Sequence, residues 1–498
     1  MIVGSGLAGV LVARELAERG RSVAIVERGS HLSWADQVEA GDPDALVPIV
    51  EGGGPTAVHN DENAPGGVDW DWGYVYGVGG TCNHWVGTCP RFLPEDFAMR
   101  SRYGVMRDWP LSYGDLAPFY AEAERALGVA GARNELMPDA DFPLPAHPLS
   151  PQDRAVAPHL RPFIPLAQAR PSRSVGGRPP CCGSTRCELC PVDSRFSVLN
   201  GLAGTLEHPS LRLVTETIAA RLVSSRSGRR IEALECLNAE KEPLRVRGER
   251  FVVAANAIES AGLILRSGIE APDTGRYFGT REATSLIIST RTPVDPGRGA
   301  TRSTGASYAY YTGTFRARQA AVLLTPENLG AAEPMLEATV SGVLDGQAGS
   351  DVRREAVKRW SRTLVMSVLV EDEPRASNGV TLSPTKDGFG IPLNRIHFQP
   401  GAYERRAIEH LLTDLPRRLR ALGAHDARLF TEPHGGHLLG TLRMGSGANG
   451  VVDRDLRHRR LDNLFVAGGA VFPTFSASHP TLTIAALSIR LGRALATG

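Results

Sequence analysis

"MIVGSGLAGVLVARELAERGRSVAIVERG", residues 1–29, decides the fold. It reads as a strand, a glycine turn, a helix and a second strand. Gly4, Gly6 and Gly9 place G-x-G-x-x-G at the turn. Ala8, Leu11, Val12 and Leu16 recur at the spacing of one apolar helix face. "SVAIVE" is a short apolar strand ending in Glu27, 18 residues after Gly9. Strand, turn, helix, strand and terminal acid together form the dinucleotide-binding arrangement. Its glycines let the backbone approach a pyrophosphate at the helix N-terminus, and Glu27 is expected to accept from an adenosine ribose hydroxyl. The first strand is very short, so a natural start upstream of Met1 is expected.

"GSGANG", 445–450, repeats the literal pattern without its context. No strand leads directly into it, and "VVDRDLRHRR" after it reads as turn and loop. One dinucleotide site is therefore expected rather than two, which disfavours reductases that bind both FAD and NAD(P)H.

The 498 residues carry a net charge of +1 with both signs interspersed, and 42% are hydrophobic. A large core is affordable, and nothing suggests a nucleic-acid tract. No 18-residue window is apolar and uncharged enough to span a membrane. The chain opens directly on the fold with no secretory signal, so a cytoplasmic protein is expected. Seven cysteines, an odd number, argue against a disulfide framework. Four of them, Cys181, Cys182, Cys187 and Cys190, crowd into "CCGSTRCELCPVDSRF".

Along the chain, 30–80 is rich in Gly, Pro and Asp with little periodicity. Residues 111–128 read as a helix, and 130–200 as a proline-rich excursion. "VEDEPRASNGVTLSPTKDGFGIP", 370–392, reads as two strands around an Asn-Gly turn and serves as scaffold.

Four separated stretches, in order, resemble the glucose–methanol–choline (GMC) flavin oxidoreductases: "GSGLAG" at 4–9, "GVGGTCNHWVG" at 77–87, "HLLGTLRMG" at 437–445 and "DNLFVAGGAVFPTFSASHPTLTIAALSIRLGRAL" at 462–495. "RFVVAANAIESAGLILRSG", 250–268, is similar to that family's internal strand–helix signature. The resemblance implies an α/β fold: a Rossmann-like FAD domain assembled from discontinuous segments, and a substrate domain with a large antiparallel sheet. The FAD domain is expected at 1–130, 199–277 and 433–498, with a Cys/Pro-rich excursion at 131–198 and the substrate domain at 278–432.

The same resemblance assigns the chemistry. His437 takes the place of the histidine that removes a substrate hydroxyl proton as hydride leaves carbon for flavin N5, and His479 that of its supporting residue. A base of near-neutral pKa is what alcohol oxidation needs, and histidine suits it. His434 is the competitor, and the spacing to "GT" favours His437. Pro480 begins a helix whose free N–H groups at 481–483, among them those of Thr481 and Leu482, favour negative charge on the reduced flavin. The alternative for either histidine is a structural role. Gly79, Gly80, Asn83, Ala219, Gly468 and Gly469 are assigned to the cofactor. His84 holds the place of a histidine that in several relatives bonds covalently to the flavin, and ordinary packing or hydrogen bonding is the other outcome. The cysteine loop is similar to one that holds an iron–sulfur cluster in bacterial sugar-dehydrogenase members, while the close Cys187–Cys190 spacing points to zinc, and free thiols are the third possibility.

The expected function is oxidation of a CH–OH group of a sugar, glycoside or polyol, with oxygen, a quinone or a redox partner as acceptor. Two rivals stand beside it: a flavin enzyme of the same fold with other chemistry, and an electron-transfer subunit whose cysteine loop matters most.

Overall fold

The structure is a computed structural model, and it describes residues 1–40, 58–60, 72–269, 271–280, 282–328, 332–447 and 449–497. Its organising element is a parallel sheet of five strands. In spatial order these are Leu464–Val466, Phe251–Val253, Ile2–Val3, Val23–Val26 and Leu211–Val214. Three widely separated parts of the chain thus complete one sheet, as a fold of discontinuous segments requires. The central strands are short, apolar and buried, and helix Leu7–Ala17 packs against Ile2–Val3 and Val23–Val26. Ile2, Ile25, Phe251 and Leu464 are wholly buried.

The helix Leu7–Ala17 follows the first strand and packs on the C-terminal helix Thr481–Thr497, which packs in turn on Tyr113–Leu127. The first crossing is close: a Cβ on Gly492 would lie 2.7 Å from that of Glu15. Helix Tyr113–Leu127 starts on a reciprocal cap, Asp115 N–H donating to Ser112 Oγ (3.2 Å) and Ser112 N–H to the Asp115 carboxylate (2.8 Å). It ends at Gly128 in the left-handed conformation, φ 63°.

A three-stranded antiparallel meander, Ile218–Ser224, Ile231–Leu237 and Pro243–Arg247, is inserted beside the parallel sheet. The rest of the chain builds two larger sheets. One has six antiparallel strands ordered His425–Gly435, Glu282–Ser289, Thr363–Val370, Val322–Pro326, Gly305–Tyr310 and Phe163–Pro165. Its last strand comes from the proline-rich excursion, which is therefore tied into the sheet rather than looped out. The other orders Leu439–Thr441, Arg276–Gly279, Gly379–Lys386, Pro392–His397 and Val58–Asn60.

The Asn-Gly reading at 378–379 needs correction. Thr363–Val370 and Gly379–Lys386 lie in different sheets, and the hairpin partner of the latter is Pro392–His397. Asp387 closes that turn through its side chain, which accepts from Phe389 N–H (2.9 Å) and Ile391 N–H (3.0 Å). "GSGANG" forms no dinucleotide turn: Gly445 N–H donates to Val452 O (3.1 Å) in an irregular bridge with no helix after it.

A buried ionic cluster gathers around Arg316. Arg316 is wholly buried and pairs with Asp96 (2.9 Å), Glu371 (2.5 Å) and Glu95 (3.6 Å). Tyr311 donates to Asp96 (2.8 Å). Among the described residues no helix is long and apolar enough to cross a membrane.

Candidate active site

A cleft of ≈ 650 Å³ opens along the C-terminal end of the parallel sheet, where the chain order reverses between Ile2–Val3 and Phe251–Val253. Ligands of open α/β sheets bind at such switch points. The three fingerprint glycines have three different jobs there. Gly4 turns the chain at φ 96°, and a Cβ on it would lie 2.7 Å from Ala254 O. A Cβ on Gly9 would lie 2.1 Å from Gly4 O, so this glycine lets helix and turn touch. Gly6 lines the cleft, and a Cβ there would meet no protein atom within 4 Å. That space lies directly over the free N–H groups of Leu7–Ala17, where a pyrophosphate fits. Glu27 also lines the cleft, but its oxygens are already engaged. Oε2 accepts from Ser5 N–H (2.9 Å) and Ser5 Oγ (2.7 Å), and Oε1 from Gly29 N–H (3.0 Å). The acid holds the glycine turn in shape.

The second glycine segment docks on the first. Gly79 bridges Gly6 and donates its N–H to Ser5 O (3.2 Å), and a Cβ on Gly80 would sit 3.3 Å from Gly6 Cα. Gly80 lines the cleft; Gly79 stands behind it against Asn83. Asn83 faces inward and donates to Val78 O (2.8 Å). His84 borders the cleft, and its Nδ1 is buried with no hydrogen-bond partner among the described residues. Burial, with the Arg195 charge beside it, pushes the His84 imidazole down to about 4. That shift favours the neutral ring.

His437 and His479 come together at the same cleft, their ring centroids 5.2 Å apart and their planes at 90°. Both are partly buried. The segments that carry them run side by side: Leu442 N–H donates to Ala470 O (3.0 Å) and Met444 N–H to Val471 O (2.8 Å). Gly469 permits the contact, since a Cβ there would lie 2.6 Å from Leu438 O. The run into His479 is fixed at each step. Trp109 Nε1 donates to Thr474 Oγ1 (2.7 Å), Tyr311 bonds Ser476, and Ser478 N–H returns to Ser476 Oγ (3.1 Å). Thr481–Thr497 begins immediately after Pro480, and Pro480 and Thr481 line the cleft. Leu482 is buried in the core, so only its backbone can serve a ligand. Gly468 and Ala219 also line the cleft. The side chain of His434 lies outside the described residues.

Sequence reasoning missed the far end of the cleft. Tyr74 and Tyr76 donate to Glu259 Oε1 (3.2 and 3.0 Å), and Asn394 donates to the same oxygen (3.0 Å). The Arg28 guanidinium lies 4.5 Å from the Tyr76 ring centroid. Alternating aromatics in "WGYVYG", 72–77, were the available signal.

The cysteine loop does not fit a metal. Among the described residues no three His, Cys, Asp or Glu side chains are placed to hold an ion. Cys182 is exposed. Cys181 bonds Thr301 (3.3 Å), Cys187 Sγ accepts from Arg170 Nη1 (3.3 Å), and Cys190 Sγ accepts from Ser194 N–H (3.3 Å). The iron–sulfur and zinc readings are thus unsupported.

The chain matches the GMC oxidoreductase family models over residues 167–282 and 374–488, and a model of an NAD(P)-binding Rossmann-like domain over 2–63. It is 30% identical to 6'''-hydroxyparomomycin C oxidase of Streptomyces lividus, over 100% of this chain and 91% of that one. It is 28% identical to the fructose dehydrogenase large subunit of Gluconobacter japonicus, over 99% and 97%. The pyridoxine 4-oxidase structure from Mesorbium loti superposes with a TM-score of 0.65 at 19% identity, covering 100% of this chain and 99% of the other. With its glycine cradle fitted to FAD, the chain belongs to the GMC oxidoreductases.

Proposed function

We propose that this chain oxidises a CH–OH group of a sugar, glycoside or polyol to the carbonyl, with His437 and His479 managing the hydroxyl proton. The observation that carries the reading is the histidine pair, 5.2 Å apart, in the cleft that the glycine cradle also lines. FAD, when bound, supplies the hydride acceptor at N5. His437 removes the hydroxyl proton and His479 steadies the developing alkoxide and the substrate oxygen. The free N–H groups at the start of Thr481–Thr497 favour negative charge beside them. Trp85 forms an aromatic wall, its indole N–H fixed on Phe196 O (2.7 Å). The relatives support the substrate class: their names include a fructose dehydrogenase large subunit, C-glycoside 3-oxidases and a 2-methyl-1,2-propanediol dehydrogenase. Oxygen, a quinone or a redox partner then takes the electrons.

The test is a panel of sugars, glycosides and polyols mixed with the enzyme without oxygen. Bleaching of the flavin with one carbonyl formed per flavin reduced is the expected result. Bleaching without a carbonyl product, or no bleaching by any member, overturns the proposal.

A further inference from the structure

The cysteine loop holds no metal in this geometry, yet it forms part of the cleft wall. Glu188, between Cys187 and the turn to Cys190, lines the cleft. Its loop is stapled to the wall that follows His84, because Arg170 Nη1 donates both to Cys187 Sγ and to Val86 O (2.8 Å). Val86 and Thr88 line the same cleft. The other charged lining residues are occupied elsewhere. Glu27 is held by Ser5 and Gly29, Glu259 by Tyr74, Tyr76 and Asn394, Arg28 by Asp387 (3.3 Å), and Arg266 by Ala219 O (2.9 Å). The lining contributed by 80–88, 436–439, 468–469 and 479–484 contains no Asp, Glu, Lys or Arg. Glu188 is the charged lining residue that keeps a carboxylate oxygen without a hydrogen bond from the described residues.

That charge is incompletely balanced. Glu188 Oε1 pairs with Arg302, while Arg302 Nε also donates to Glu327 Oε2 (3.0 Å). Two carboxylates share one guanidinium. Glu188 Oε2 has no partner among the described residues, and the side chain is 41% exposed. A carboxylate only accepts hydrogen bonds, and it accepts the strongest ones from cationic donors. An anionic substrate is repelled here, a neutral polyol is tolerated, and an ammonium is favoured.

We propose that Glu188 is a specificity-determining residue that selects an amino-substituted sugar, glycoside or polyol, the ammonium resting on its carboxylate while a hydroxyl is oxidised. This rests on the CH–OH oxidation proposed above.

The experiment compares matched pairs, glucosamine with glucose and glucamine with sorbitol, by kcat/KM in wild type and Glu188→Gln at neutral pH. The wild type is expected to prefer the amine about tenfold or more, the size of one charge-assisted hydrogen bond. Added salt should shrink that ratio, and Glu188→Gln should bring it towards one. Equal wild-type kcat/KM within each pair overturns the inference without needing the variant. So does a preference that survives in Glu188→Gln. If no member of any pair reduces the flavin, the sugar-oxidation proposal fails and this inference with it. Turnover of the neutral members alone sinks only the role of Glu188.

Discussion

Substituting Gly6 and Gly9 one at a time should separate cofactor binding from folding within a single motif. Gly6 sits at φ −65°, ψ 176°, a conformation open to any residue. A Cβ there meets no protein atom within 4 Å. Gly6→Ala should leave the apo fold intact, or raise its stability by about 0.4–1 kcal/mol through the unfolded chain. The new methyl occupies the place of the pyrophosphate. Losing two charge-assisted hydrogen bonds to the helix N-terminus costs about 3–6 kcal/mol, or about 10²–10⁴ in FAD affinity. Gly9→Ala meets Gly4 O at 2.1 Å, and Gly4 cannot retreat, because its N–H is tied to Val26 O (2.8 Å) and its φ is 96°. That clash should cost the apo protein about 3 kcal/mol or more. Flavin absorbance per protein and urea unfolding with and without added FAD measure both effects. A Gly6→Ala protein that purifies with the parent's flavin content and keeps it on dilution would contradict this assignment of Gly6.

Other consequences follow from buried groups. Arg316→Met leaves Asp96 and Glu371 without their cation, Glu95 keeping only Arg102 (3.5 Å), and should destabilise the fold by about 3–5 kcal/mol in urea unfolding; a loss below about 1 kcal/mol contradicts it. Burial, then Arg460, lowers the His458 imidazole from 6.5 to about 4, so its folded form resists a proton that the unfolded chain takes up. Its stability contribution is complete above pH 6.5 and fades as pH falls towards 4. The advantage of the parent over His458→Leu should therefore shrink by about 2 kcal/mol between pH 7 and about pH 5, and a pH-independent difference speaks against this. His84 lines the cleft, and its Nδ1 has no hydrogen-bond partner among the described residues. Acid precipitation should release the flavin to the supernatant; a yellow pellet that turns colourless in His84→Asn would instead assign a covalent bond.

The fold was readable wherever one local rule governed it. The fingerprint at 4–9, the apolar face of Leu7–Ala17 and the apolar strand before Gly468 each carry their own signal. His437 and His479 were legible only jointly, through the order of four motifs, since nothing local brings their rings together. What escaped the reading depends on tertiary pairing. Asn378–Gly379 looks like a hairpin turn, yet the strands on either side enter different sheets. Phe163–Pro165 looks like irregular chain and becomes an edge strand because Gly305–Ser307 offers it a partner. The cysteine spacing suggests a metal, but the thiols face Arg170, Ser194 and Thr301 instead of one another. Spacing bounds which side chains can converge; their neighbours decide whether they do.

The central claim is that the histidine pair moves the proton while the rest of the cleft holds FAD. It is tested most directly by the rate at which a substrate that bleaches the wild-type flavin reduces FAD in His437→Ala, under saturating conditions without oxygen. With FAD content unchanged, the rate should fall by about 10²–10⁴, the usual contribution of a positioned base. A reduction rate matching the parent's would contradict the assignment.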